Sequence, residues 1–345
     1  MNSLERVGLI LQHKEADRVP VYPIANSVSR KTLGLTYEEW TKDVDLCAKA
    51  IIKITEDFDF DVITTLVDLS VEAADWGQPL IYYEDKAAAP DSSQYLIQSA
   101  EDYKKIKKIN PRETKRMSEH IELCQKLVAA KGKETPIVAF VFAPLGIATM
   151  MRGAEQFFMD LIRYPDEVHQ CLRAITDTLK DLCTALIETG VHAIMFDTLY
   201  ASKSIMSKKM WDSFEGIYME ELSQHVKEQG CMVMLHNCGN GAYFDRQIER
   251  MDPIAISFLH MPDDCTSMEE LKEKYGSKLT LIGHVDPPSL MLSTPEEIEA
   301  ICKEQIDAYK SNGGFILATG CEYPAPLELD MAELMVRVAK EYGKY

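Results

Sequence analysis

The chain has 345 residues, 37 Lys and Arg against 55 Asp and Glu, and a formal charge of −18. With 46% apolar and 27% charged residues it has a globular composition, and its length suits one barrel with insertions or two ordinary domains. The acidic balance argues against nucleic-acid binding, which needs a basic stripe to neutralise phosphates. Residues 104–108, where Ile106 interrupts the lysines, read as the solvated face of a helix. The first residues lack the basic stretch and long apolar run of a secretory leader. No run reaches the roughly 18 apolar residues that cross a bilayer, so the expected location is the cytoplasm. Nine cysteines are then expected as thiols. Cys47, Cys124, Cys171, Cys183 and Cys302 fall in helix-like patterns and Cys231 leads into a strand, so each reads as a small buried hydrophobe. Cys265 lies in a polar loop. Cys238 and Cys321 differ, each sitting beside a glycine just after a strand-like run.

In chain order, residues 19–24 and 61–65 read as strands, and residues 78–112 as an insertion with a short hairpin near 80–84. Further strands are expected at 137–142, 193–196, 232–235, 255–258, 279–282 and 315–318. Between them, segments with helical period cover 165–189, 207–229, 295–312 and 330–342. Ser207, Thr266 and the Thr294-Pro295-Glu296-Glu297 turn mark helix starts; Gly190, Gly230 and Gly276 mark stops. Strands alternating with helices imply parallel pairing, because each crossover needs a helix to return the chain. Eight strands close a (β/α)8 TIM barrel, expected as a single domain over 1–345 with an N-terminal extension and a small insertion.

In such a barrel the side chains at the strand C-termini converge on one mouth. Asp68 and Glu72 follow the second expected strand, Ala143-Pro144-Leu145-Gly146 the third and Asp197 the fourth. His236-Asn237-Cys238-Gly239 follows the fifth, His260 the sixth, His284 the seventh, and Thr319-Gly320-Cys321-Glu322 the eighth. His236, Cys238 and Cys321 offer one imidazole and two thiolates, a donor set suited to Zn²⁺. Three protein ligands leave a fourth position open, the catalytic arrangement. The alternative is two buried thiols and a hydrogen-bonded histidine. His260 and His284 read as substrate contacts, as partners orienting the ligands, or as structural histidines. Asp68 and Asp197 read as hydrogen-bonding or ligand-orienting carboxylates, or as helix caps. Glu72 or Glu322 is a candidate fourth ligand. His13, His120, His169 and His225 are expected within helices and partly exposed, and His192 as structural.

The chain resembles the uroporphyrinogen decarboxylase superfamily, and within it the zinc-dependent corrinoid methyltransferase branch. The resemblance rests on Asp17-Arg18-Val19-Pro20-Val21, Asp68 before Gly77, and Ala143-Pro144-Leu145-Gly146 leading to Arg152-Gly153. It continues through Phe196-Asp197-Thr198, Gly283-His284-Val285-Asp286-Pro287 and Gly320-Cys321. It implies a (β/α)8 barrel with its site at the C-terminal mouth. Decarboxylases of this superfamily carry an arginine-bearing Met-Arg-Gln-Ala-Gly-Arg segment after the first strand. Here Ile24-Ala25-Asn26-Ser27-Val28-Ser29-Arg30 lacks at least the first arginine, a tyrosine expected near Met150 is missing, and Cys321 replaces a histidine. The methyltransferases carry His-x-Cys and a distant Cys, which this sequence matches.

That resemblance implies transfer of a methyl group between a corrinoid (cobalamin) and a small substrate: a thiol such as coenzyme M, tetrahydrofolate, or an O-methyl donor such as a methoxylated aromatic. Met150 and Tyr200, with Met151 and Phe142, are candidate linings for the corrin face. No Asp-x-His-x-x-Gly corrinoid segment occurs here, so the cofactor is expected on a separate corrinoid protein that docks on the barrel mouth. A porphyrinogen decarboxylase and a non-catalytic corrinoid-binding protein are the alternatives.

Overall fold

The computed structural model describes residues 1–345. Eight parallel strands form its centre: β1 (Val21–Ile24), β2 (Ile63–Thr64), β3 (Ile137–Phe142), β4 (Ala193–Asp197), β5 (Met232–Asn237), β6 (Ala255–Phe258), β7 (Thr280–Val285) and β8 (Phe315–Glu322). Their order is β1-β8-β7-β6-β5-β4-β3-β2. The two ends of that order meet, since Asp61 N donates to Val21 O at 2.9 Å and Asn26 Nδ2 to Thr64 O at 2.6 Å. The structure is the expected (β/α)8 barrel.

The strands are Val-, Ile- and Phe-rich because both faces are covered, by the lumen on one side and by helices on the other. Buried apolar side chains form one contiguous cluster from Val7 to Ala339. Several strands run past their expected ends: β4 takes in Asp197, β5 takes in His236 and Asn237, and β8 reaches Glu322. Polar residues ended the sequence pattern there, but the backbone ladder continues regardless of side chain. The donors therefore sit on rigid strand termini as well as on the loops beyond them.

The helix starts follow local chemistry. Thr294 caps Pro295–Tyr309 through a capping box with Glu297, and Ser207 caps Lys208–Trp211 by accepting from Met210 N. The cap before Met268–Tyr275 is Ser267 rather than Thr266, whose N–H and hydroxyl both donate to Glu270. The single helix expected over 207–229 is interrupted by a π-helical turn, Asp212–Gly216. In the insertion, Leu80–Ile81 pairs antiparallel with Ala89–Pro90, a wider hairpin than expected. No helix is long and apolar enough to cross a membrane.

The barrel's N-terminal end is closed by a buried ion network. Asp61, whose side chain is fully buried, accepts from Arg6 Nη1 at 2.8 Å, Arg18 Nη1 at 2.7 Å and Val21 N at 2.7 Å. Arg6 also holds Asp17 at 2.7 Å. The Asp17-Arg18 signature is thus structural.

Candidate metal centre

His236 lies near the end of β5, Cys238 one residue beyond it and Cys321 near the end of β8. The ligand atoms of these three side chains lie within 4.8 Å of one another. Register places Asp197 of β4, His236 of β5 and Ser257 of β6 side by side, so they share one face of three adjacent strands. The His236 Nδ1 meets Ser257 Oγ at 3.0 Å, and the ring packs against Phe140 at 5.8 Å between centroids. Both cysteines are half-buried, whereas His236 is buried.

The glycines beside the cysteines have steric reasons. A Cβ on Gly239 would lie 2.5 Å from Ser202 Oγ, and one on Gly320 would lie 2.7 Å from Leu259 Cα. Asn237 pins the turn between β5 and Cys238. Its Nδ2 donates to Thr198 O at 2.8 Å and its Oδ1 accepts from Gly239 N at 2.9 Å.

The titrating groups of the three side chains and their acidic neighbours are coupled. The hydrogen bond between the two thiols lowers the Cys321 pKa and raises that of Cys238, because two neighbouring sulfurs resist ionising together. Burial pulls His236 down, but its hydrogen bond to Cys321 and the charges of Cys321 and Asp197 outweigh it, so its pKa rises. Burial and Cys321 push Asp197 up to about 6 against the pull of His236. Burial, with Cys321 and Asp68 nearby, pushes Glu322 up to about 7. The donor set of one imidazole and two sulfurs fits zinc with one position left open. A divalent ion would also relieve the competition between the sulfurs.

The other expected site residues divide. Asp197 stays beside the triad, accepting from Leu199 N at 3.1 Å. Asp68 is locked in a buried pair with Arg116 at 2.8 Å and also accepts from Thr41 Oγ1 and Ser70 N, so it is not a free carboxylate. His284 is not brought to the triad. Its Nε2 meets Tyr309 Oη at 3.2 Å and its N–H donates to Gln305, both on the Pro295–Tyr309 helix. Burial lowers its pKa to about 4. His260 is exposed beyond β6.

Glu72 and Glu322 do not join the close donor group; Glu72 accepts from Phe142 N at 3.3 Å and Glu322 from Ser27 N at 3.0 Å. Half-buried Met150 accepts a weak bond from Ser70 Oγ at 3.8 Å, and half-buried Tyr200 lies 5.8 Å from Phe158 between ring centroids. His120 is buried rather than partly exposed, with Nε2 at 2.6 Å from Thr65 Oγ1; Cys265 is buried too.

Two residues escaped the sequence reading. Ser257 gave no signal, being one small polar residue inside a strand. Glu215, fully buried on the π-helical turn, accepts from Leu145 N at 3.1 Å and Trp211 Nε1 at 2.8 Å. Only a buried acid within an otherwise regular helical pattern hinted at it.

The uroporphyrinogen decarboxylase (URO-D) family model matches residues 2–342. The chain belongs to that family. Within URO-D relatives, it is 24% identical over 342 residues to the methylcobamide:CoM methyltransferase MtbA of Methanosarcina mazei, covering 98% of this chain and 97% of that one. It is 22% identical over 327 residues to the uroporphyrinogen decarboxylase of Helicobacter acinonychis, covering 92% and 91%. A solved methyltransferase from Methanosarcina mazei superposes with a TM-score of 0.84 at 20% identity, covering 99% of each chain. That likeness establishes the shared fold.

Proposed function

We propose that this URO-D family member is a zinc-dependent methyltransferase that moves a methyl group between a corrinoid protein and a small substrate. The substrate classes in view are a thiol such as coenzyme M, tetrahydrofolate, or an O-methyl donor such as a methoxylated aromatic. The observation that carries the reading is the gathering of His236, Cys238 and Cys321 donor atoms within 4.8 Å. The likeness to a methylcobamide:CoM methyltransferase over nearly the whole chain supports it. His236, Cys238 and Cys321 would hold the ion. When bound, zinc supplies Lewis acidity at its open position, which lowers the pKa of a thiol or polarises an ether oxygen.

The chain's own residues shape the rest. Asp197 holds a carboxyl group beside the triad whose pKa burial pushes up to about 6, suited to exchanging a proton with a substrate heteroatom. Asn237 and Gly239 fix the turn that carries Cys238. Met150 and Tyr200 are proposed to meet the corrin face, and His260 the rim of the mouth.

The decarboxylase reading fits less well. A porphyrinogen with four acidic arms calls for available arginines. Arg116 is committed to Asp68, Arg152 to Asp160 at 2.7 Å, and Arg30 to the carbonyls of Leu35 and Asp85.

The test mixes zinc-loaded protein with a methylcorrinoid and candidate thiol or folate acceptors, and with cob(I)alamin and methyl ethers for the reverse direction. A change in cobalt absorption that disappears on chelation is the expected result. Silence across all of these substrates, or turnover of uroporphyrinogen unaffected by chelation, contradicts the reading.

A further inference from the structure

The imidazole of His236 has two nitrogens, and the structure commits one of them. Nδ1 lies 3.0 Å from the hydroxyl of Ser257, its register neighbour on β6. With Nδ1 so engaged, Nε2 is the nitrogen left for the sulfurs, and the ring lies beside Cys321. Ser257 is fully buried, and its hydroxyl has no hydrogen-bond partner other than His236. The Phe140 ring packs against the imidazole. On this side the ring is held by a hydrogen bond from the adjacent strand β6 and an aromatic contact from β3, two strands away.

A neutral imidazole carries one proton, and a metal needs the lone pair of the nitrogen without it. If Ser257 donated to Nδ1, the proton would sit on Nε2 and face the sulfurs, where it would exclude an ion. If Ser257 accepts from Nδ1–H, the Nε2 lone pair is turned toward Cys238 and Cys321.

We infer that Ser257 is a positioning residue for the metal centre, accepting the Nδ1–H of His236 so that Nε2 is presented to the ion. This inference rests on the zinc reading above. A partner of this kind orients the ring, fixes its tautomer and raises the basicity of the ligand nitrogen. Its removal also leaves a buried N–H without an acceptor.

The test is zinc affinity by competition with a chromophoric chelator, alongside the thermal midpoint of the metal-free protein. Ser257→Ala is expected to weaken zinc binding by about 10- to 100-fold. Ser257→Thr, which keeps the hydroxyl, is expected to stay near wild type. Ser223→Ala, at another buried serine whose hydroxyl is unpartnered, is the control and should leave affinity unchanged. In zinc-loaded protein, ¹⁵N spectra of labelled histidine should show the His236 proton on Nδ1. Wild-type affinity in Ser257→Ala, equal losses in Ser257→Ala and Ser257→Thr, or a proton on Nε2 would each overturn the inference. Failure of the wild-type protein to bind zinc would instead remove the reading on which it rests.

Discussion

At the scale of single residues, the barrel mouth separates groups whose donor atoms converge from groups that hold the scaffold. His236, Cys238 and Cys321 converge, while Asp68 and Arg116 neutralise each other in a buried pair. The two kinds should respond differently to substitution. Cys238→Ala and Cys321→Ala are each expected to lose bound zinc and activity yet keep their circular dichroism spectrum, since neither side chain belongs to the contiguous apolar core. Asp68→Ala should behave in the opposite way. It leaves the Arg116 guanidinium buried without its counter-charge, at a cost of about 3–5 kcal/mol in denaturant unfolding, while Cys238 and Cys321 remain in place. Loss of zinc without loss of stability in Asp68→Ala would contradict that division.

At the scale of elements, the turn leaving β3 is gripped from two sides by buried acids. Glu72 accepts from Phe142 N and Glu215 from Leu145 N. Burial pushes both carboxyls up to about 8 from an ordinary 4.5. A carboxyl whose pKa is raised on folding favours the folded state below its unfolded value, and that contribution is lost as pH rises through the folded one. The window is therefore about pH 4.5 to 8. Burial works in reverse on His120 and His284, whose pKa values fall from 6.5 to about 4, so they withdraw stability as pH drops through that interval. Glu72→Gln is expected to flatten the fall in stability between about pH 4.5 and 8 in denaturant titrations. An unchanged slope would show that Glu72 ionises freely.

Element by element, the strand pattern was legible because fully covered strands are continuous apolar runs, and β3 and β6 match it residue for residue. The triad was legible because cysteines beside glycines at strand ends are chemically unusual. For His284 the sequence left a structural role open beside a functional one, since residue type and strand-end position cannot tell a lumen-facing ring from one that meets Tyr309. Ser257 was invisible because its role depends on cross-strand register, which the local sequence does not encode. The π-helical turn that carries Glu215 lies inside a helical apolar pattern and left no mark of its own.

At the scale of the whole molecule, the two ends of the barrel do different work. The N-terminal end is closed by Asp61 with Arg6 and Arg18, and the C-terminal end carries the donors. In a (β/α)8 barrel these are the stability face and the chemistry face. Asp61→Ala is thus expected to lower unfolding stability by about 3–5 kcal/mol and to leave zinc affinity at the wild-type level in the folded fraction. A large change in zinc affinity would show that the two ends are coupled. The most direct test of the account is zinc-edge X-ray absorption on the purified protein. Two sulfur neighbours, one imidazole nitrogen and one exchangeable light atom per zinc are expected. A full shell without sulfur, or protein that takes up no zinc when it is offered, would contradict the account.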